Sequence, residues 1–380
     1  MAALGDSGNG FDREFSRSYG DESAKIGRFN LAVFGKTGVG KSTLINSIFG
    51  HDVAATGSGR PVTAGSHFYF HDSGRFGVYD TQGIELGQSS AEVLADLRQV
   101  VEQQRSKPLA EQIHVAYYCV RSTDNRLEPY EGPFISELHK LGLPVILVLT
   151  QVPRRGDEYH PNTIKLAQFI FEAGLPIYLG RPLLTNALAD PTLGFAVHGL
   201  QELLDATFDA APDGVAAALA AAQKIDIRRK REAARNRIAL AVSAATAAGA
   251  SPIPFSDAAI LVPIQMGMLA SIAITYDIDL DVALAASLAT TGLATQAGRS
   301  LVTNVIKMVP GAGAIIGGAI SAGVAGSFTF AMGMAWREVC EGIAEGKFGV
   351  QGALNNEAIK GAFIAEFKRQ FNKRLKGDSV

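Results

Sequence analysis

Gly35-Lys36-Thr37-Gly38-Val39-Gly40-Lys41-Ser42 decides how this chain is read. It follows Phe29-Asn30-Leu31-Ala32-Val33-Phe34, an apolar run with the length and composition of a buried strand. It precedes Thr43-Leu44-Ile45-Asn46-Ser47-Ile48-Phe49, an amphipathic run stopped by Gly50. Strand, glycine loop and helix in that order make this Gly/Lys/Ser spacing a predicted phosphate site. The glycines let the main chain wrap closely round an anion, so that successive N–H groups and the helix N-terminus converge on it. Lys41 is expected to set its ammonium on the outer phosphates, and Ser42 to offer its hydroxyl to Mg²⁺. An ordinary glycine turn is the alternative, and it leaves the flanking strand and helix unexplained. The expectation is a bound nucleotide, its phosphates held from Gly35 to Thr43.

A second motif falls where an open sheet would put it. Asp80-Thr81-Gln82-Gly83 directly follows a strand, which sets Asp80 at that strand's carboxyl end beside the phosphate loop. There a carboxylate can hold Mg²⁺ through water, and the Gly83 N–H can bond the terminal phosphate. Between the motifs runs Gly57-Ser58-Gly59-Arg60-Pro61-Val62-Thr63, read as a loop. Its Thr63 is expected to close onto the metal, with Thr56 as the rival and an ordinary loop threonine as the plain alternative.

The surrounding pattern alternates strand and helix. Strands are predicted at 67–71 and 75–79, at 113–120, at 144–149 and at 176–179. Helices are predicted at 91–105, 131–141, 162–173 (with Asn162 as the cap) and 197–208. This order implies a mostly parallel sheet with helices on both faces over residues 26–210. Residues 1–25, rich in Gly, Ser, Asp and Arg with isolated aromatics, read as a flexible tail. A formal net charge of −2 gives no bulk attraction to nucleic acid or acidic lipid. Cys119 and Cys340 make neither a disulfide framework nor a metal-ligand pattern, so a reducing cytoplasm is expected. The polar N-terminus shows no signal peptide.

The motifs GKTGVGKS, PVT and DTQG together resemble the first signature elements of Era-like GTPases of the translation-factor-related class, over residues 26–210. The resemblance implies GTP and GDP as ligands, Mg²⁺ as cofactor and GTP hydrolysis as activity. It implies Lys41, Thr63 and Gly83 as catalytic groups and Ser42, Thr63 and Asp80 around the metal. The family's guanine-reading Asn/Thr-Lys-x-Asp falls on Thr150-Gln151-Val152-Pro153, where Thr150 fits and Gln151 and Pro153 depart. A carboxylate there accepts two guanine N–H donors; Pro153 cannot, and Asp157 lies too far along without a rearranged loop. Asn186 and Ala187 stand where the family's last base-contacting loop belongs. Ile84 follows Gly83, so no glutamine orients a water, and slow turnover is expected. Lys36 is a further candidate for stabilising developing charge.

Beyond Pro212-Asp213-Gly214 the composition shifts to an all-α hydrophobic helical domain, expected over 215–375. The mean hydropathy of the whole chain is +0.14, and the apolar excess lies here. Arg228, Arg229, Lys230, Arg231, Arg235 and Arg237 crowd into ten residues. Ala258–Tyr276 and Met308–Trp336 are uncharged for 19 and 29 residues, the latter with Gly313-x-x-x-Gly317 and Ala319-x-x-x-Gly323. Small residues at that spacing let helices approach backbone to backbone. Ser251-Pro252-Ile253-Pro254-Phe255-Ser256-Asp257-Ala258, with Gln265 beyond it, resembles the opening of the YcjF-like helical domain over 235–310. That resemblance implies membrane association, at the cytoplasmic face of a bacterial inner membrane, through residues 228–336. A bundle that buries its apolar faces, its basic cluster a solvated helix face, is the alternative.

The expected protein is therefore a slow, Mg²⁺-dependent GTPase whose nucleotide state switches a helical domain against a membrane or protein partner, a homodimer included. Two other functions compete. One is a membrane scaffold or pore-like assembly that nucleotide merely locks; the other is an RNA- or ribosome-associated GTPase, which no RNA-binding domain or stacking motif supports.

Overall fold

The computed structural model describes residues 6–50, 60–63, 66–81, 90–249, 257–279, 281, 283, 322–350 and 353–375. The chain divides into two compact units: Ile26–Ile227, and Arg228–Val380 together with Met1–Lys25. Helix α1 (Asp6–Ile26) opens the chain. It replaces the flexible tail expected for residues 1–25: Phe15 and Tyr19, one helical turn apart, are both buried, and the Tyr19 hydroxyl donates to the Ile278 carbonyl at 2.6 Å.

The Ile26–Ile227 unit is a mostly parallel seven-stranded sheet with helices. Its elements are β1 (Phe29–Phe34), α2 (Lys41–Phe49), β2 (Arg60–Thr63), β3 (Ser66–Phe70), β4 (Phe76–Thr81), α3 (Ser90–Arg105) and β5 (Val115–Arg121). There follow α4 (Glu131–Lys140), β6 (Val145–Thr150), the two-residue strands β7 (Arg154–Arg155) and β8 (Glu158–Tyr159), α5 (Pro161–Glu172), β9 (Leu183–Leu184), α6 (Leu200–Ala210) and α7 (Ala216–Ala222). The order across the sheet is β2-β3-β4-β1-β5-β6-β9. Strands β4, β1, β5, β6 and β9 run parallel, and β2 and β3 add an antiparallel edge. All six residues of β1 are buried, as a strand covered on both faces requires. Phe34 meets Phe134 of α4 edge-on at 5.4 Å, whereas Phe29 stacks with Phe49 of α2 at 6.4 Å. Because β1 lies between β4 and β5, the chain changes direction across the sheet at β1, and the crevice of an open α/β sheet opens at such a point.

Several local expectations differ from the fold. The strand expected at 176–179 is a 3-10 turn at Tyr178–Gly180 with Leu179 left-handed at φ 63°, and the sheet's edge strand is Leu183–Leu184 instead. The cap of α5 is His160, whose ring accepts from the Asn162 N–H, with Pro161 in the first turn. The unit also runs past residue 210, because α7 packs on β1 and β4 and the Lys224 N–H donates to the Ile48 carbonyl at 2.8 Å.

The other unit is helical: α1 with α8 (Ile227–Gly249), α9 (Asp257–Thr275), α10 (Ala322–Ala344) and α11 (Asn356–Leu375). A short hairpin, β10 (Gly349–Val350) with β11 (Ala353–Leu354), precedes α11. Gly333 of α10 has no room for a side chain: an added Cβ would lie 2.7 Å from Ile238 of α8 and 2.8 Å from the Met268 sulfur of α9. Polar anchors cross the same seams. The Trp336 indole N–H donates to the Leu269 carbonyl at 2.8 Å, and the Gln265 amide donates to the Thr329 hydroxyl at 3.2 Å.

The basic cluster on α8 is not a uniform solvated face. Lys230 is buried and donates to the Thr275 carbonyl at 3.0 Å. Arg231 pairs with Glu341, which also accepts from the Tyr276 hydroxyl at 3.2 Å. Arg237 approaches Glu22 at 3.9 Å. Three of the six cations thus serve the packing of this unit, which the sequence reading had not separated from the rest. Among the described residues no helix is long and apolar enough to cross a membrane. Gly313, Gly317 and Ala319, with the whole of 308–321 before α10, lie outside those residues.

Candidate functional site

The phosphate loop leaves β1 at Gly35 and enters α2 at Lys41. Three of its residues take left-handed backbone, Gly35 at φ 129°, Gly38 at 79° and Gly40 at 94°. At Gly35 the reason is also steric: a Cβ would sit 2.2 Å from the Cys119 carbonyl oxygen of neighbouring β5. Gly40 stands at the N-cap position of α2 but has no side chain to cap it, and its carbonyl takes the first helical bond from the Leu44 N–H at 2.9 Å. The first-turn N–H groups of α2 are left to an external acceptor, the arrangement that favours an anion.

Lys41 closes the loop on itself. Its ammonium donates to the Gly35 and Lys36 carbonyls, both at 2.9 Å, so the charge is held over the loop that would carry the phosphates. Ser42 follows on the same turn and is exposed. Thr37 is exposed too, whereas Val39 is buried and fastens the loop to the sheet. Lys36 points elsewhere: its ammonium pairs with Glu128 at 2.8 Å, ahead of α4. Burial works to lower the Lys36 pKa, but the Glu128 bond and the neighbouring Tyr130 and Glu131 outweigh it and raise it above its ordinary value. Behind Glu128, its own N–H donates to buried Glu131 at 2.7 Å, and burial holds the Glu131 carboxyl above the usual range.

Asp80 sits in β4 opposite Val33 of β1, two residues before the phosphate loop begins, and so at the carboxyl end of the central strands. Thr63 is the last residue of β2, paired with Ser66, which in turn pairs with Thr81. That stretch, read as loop, is strand from Arg60. Thr63 therefore lies at the same end of the sheet as Asp80 but at its edge, with β3 between β2 and β4, a separation of about 10 Å from β4. Gly83, with Gln82 and Ile84, and the rival Thr56 lie outside the described residues.

On the other side of the loop, β6 and β9 supply the wall. The Thr150 hydroxyl donates to the Val39 carbonyl at 2.5 Å. Gln151 adopts φ 52°, uncommon for a residue with a side chain, and its amide donates to the Gly38 carbonyl at 3.3 Å. Thr150 and Gln151 thus meet the phosphate loop. Asn186 is committed differently from expectation: its amide nitrogen donates to the Leu188 carbonyl at 2.8 Å and the Ala196 carbonyl at 3.0 Å, within its own loop. Ala187 is tied back to α2, its carbonyl accepting from the Ser47 hydroxyl at 3.0 Å. The missing signal was the β7–β8 hairpin. After Val152 the chain turns at Gly156, φ 57°, and Asp157 at its tip pairs with Arg154 at 2.9 Å. The Arg-Gly-Asp-Glu run is a turn signal that sequence reading left unused.

Residues 30–151 match the family described as 50S ribosome-binding GTPase. The matched residues lie within the Ile26–Ile227 unit and take in the Gly35–Ser42 loop. No curated protein matches the chain. Among solved structures, a probable GTP-binding protein engB is 16% identical, with 48% of this chain and 97% of that one covered and a TM-score of 0.32. An Era variant from Aquifex aeolicus bound to GDP·AlF4⁻ is 18% identical, with 57% and 68% covered and a TM-score of 0.34. Era in complex with MgGDPNP and a segment of 16S ribosomal RNA is 18% identical, with 56% and 67% covered and a TM-score of 0.34.

Proposed function

We propose that this chain binds GTP and GDP at the Gly35–Thr43 loop and hydrolyses GTP slowly, and that the nucleotide state is passed to the helical unit. The observation that carries the reading is Lys41 held over two carbonyls of its own glycine loop, at the uncapped N-terminus of α2. On binding, the ammonium would exchange those carbonyls for the outer phosphate oxygens, gaining charge-assisted bonds. The first-turn N–H groups of α2 would orient the phosphates from below. Ser42 and Asp80 are oxygen donors of the type a hard cation takes, and both stand at this end of the sheet; the residues present fit Mg²⁺. Such an ion, when bound, neutralises charge on the phosphates. Thr63 stands at the sheet edge with β3 between its strand and that of Asp80, which makes the β2–β3 edge the natural reporter of nucleotide state. Lys36 is engaged by Glu128, so no second cation from the loop speeds the reaction, in keeping with slow turnover. The test is steady-state phosphate release from GTP with Mg²⁺ present: repeated turnovers are expected, and a single bound equivalent with none would favour the scaffold instead.

The helical unit's engagement of a membrane, a protein partner or a second copy belongs to the same proposal. A contact with the cytoplasmic face of a membrane is supported by Arg228 and Arg235, exposed and seven residues apart, hence on one face of α8. Replacing both by Gln should weaken binding to anionic liposomes by about 1 kcal/mol per cation, while leaving Lys230 and Arg231 to hold the unit together. Co-sedimentation at low and moderate salt measures it. Wild-type protein that stays in the supernatant throughout would sink the membrane contact and leave a protein partner.

A further inference from the structure

The far wall of the cleft says which part of a nucleotide it can distinguish. Thr150 and Gln151 close on the phosphate loop through Val39 and Gly38, and Ala187 is held to α2 through Ser47. The loops after β6 and β9 therefore continue the phosphate loop's wall, and a base attached to phosphates seated there faces these two loops. Guanine differs from hypoxanthine only by its exocyclic amine, a pair of N–H donors. A site that selects guanine must set a strong acceptor against that amine, and a carboxylate is the strongest side chain for it.

Of the carboxylates of these two loops, Asp157 and Asp190 are engaged in their own turns. Asp157 pairs with Arg154 at the hairpin tip, and Asp190 accepts from the Thr192 and Leu193 N–H groups at 2.9 and 3.0 Å. Glu158 lies in β8, paired across the hairpin with Arg155. The hairpin itself is pinned: the His160 N–H donates to the Pro153 carbonyl at 3.1 Å, and Arg154 stacks over Tyr159. His198 braces it from the β9 side, its ring edge-on to Tyr159 and its Nε2 bonded to the Val152 carbonyl at 3.0 Å. That packing fixes the hairpin that carries Asp157 and keeps Arg154 beside its carboxylate. What the wall offers at the base end is neutral, the Gln151 and Asn186 amides and main chain.

We infer that this site holds purine nucleoside triphosphates by their phosphates and does not read the guanine exocyclic amine, so that inosine triphosphate serves as well as GTP and ATP competes with both. The inference rests on the proposed triphosphate site at Lys41. The experiment is competition of GTP, ITP and ATP against a fluorescent triphosphate on the full chain with Mg²⁺, for wild type, the double variant Asp157→Ala with Glu158→Ala, and Lys41→Ala. The expected result is GTP and ITP within about threefold of one another. The double variant should leave that ratio unchanged. A GTP preference over ITP of about 30-fold or more, the range of a lost bond to a charged acceptor, overturns the inference. So does a preference that the double variant abolishes, because a hairpin carboxylate would then be the reader. Failure of all three nucleotides to bind, or equal binding by Lys41→Ala, overturns the underlying site instead and is distinguishable from either result.

Discussion

The phosphate end and the base end of the cleft are neighbours, yet they are made of different material. At the phosphate end the work falls to main chain: glycines with positive φ, an uncapped helix, and one lysine drawn over two carbonyls. At the base end it falls to side chains, and those are turned onto the protein itself, Asn186 into its own loop and Asp157 onto Arg154. The backbone device tolerates little change in sequence, because its three glycines take positive φ and at Gly35 a Cβ would also collide with β5. A side-chain device depends on which partner the neighbouring chain brings near, as the β7–β8 hairpin brings Arg154 to Asp157. On the proposed reading, the phosphate side is set by backbone geometry and the base side by side-chain partners.

The strongest way to break this contrast is Gly35→Ala. The added methyl would meet the Cys119 carbonyl, which is backbone and cannot yield, and the φ of 129° adds strain, so a loss of about 3 kcal/mol or more is expected in urea unfolding. Gly38→Ala is the paired control. It meets open space and carries only the left-handed penalty of about 1–2 kcal/mol, so it should remain folded. Equal effects from the two would show that steric closure against β5 does not set the loop.

A smaller effect is expected at the end of β1 away from that loop. His114 is buried under β1, its Nδ1 accepting from the Asn30 N–H at 2.9 Å and its Nε2 bonded to the Leu109 carbonyl at 2.8 Å. Burial lowers its pKa, and the nearby Arg28 acts the same way. The neutral ring is the one that fits, so the unfolded chain takes up the proton first. Stability is then fully present above the unfolded value of about 6.5 and is lost as pH falls through the depressed folded pKa. His114→Gln should cost about 1–2 kcal/mol at pH 7.5 through the disturbed hydrogen bonds and flatten the decline toward pH 5. An unchanged slope in the variant would assign the acid sensitivity elsewhere.

The smallest effect belongs to the base side. Gln151→Ala removes a long, exposed bond to the Gly38 carbonyl and should weaken triphosphate binding by about threefold or less, under about 1 kcal/mol. A loss of tenfold or more by calorimetry would make Gln151 part of the phosphate machinery and erase the contrast.

What was legible in the sequence follows the same line. The strand–loop–helix around Gly35–Ser42 and the placement of Asp80 at the end of β4 could be read because spacing and backbone geometry are one fact. The parallel sheet followed from alternation and fully apolar strands. The commitments of Lys230, Arg231 and Asn186 could not be read, because each depends on which carbonyl or carboxylate the tertiary fold brings near. Phe15 and Tyr19, by contrast, carried a usable helical spacing that polar composition obscured. The edge position of Thr63 depends on β2 pairing with β3, a long-range contact that no local pattern marks.

The central claim is that Lys41 and its glycine loop hold a triphosphate. Calorimetric titration of the full chain with a non-hydrolysable GTP analogue and Mg²⁺, wild type against Lys41→Ala, tests it most directly. The account predicts saturable one-site binding in the wild type and a loss of about 100-fold or more in the variant, with the same unfolding midpoint for both in the absence of nucleotide. Affinities within about threefold of each other would contradict it.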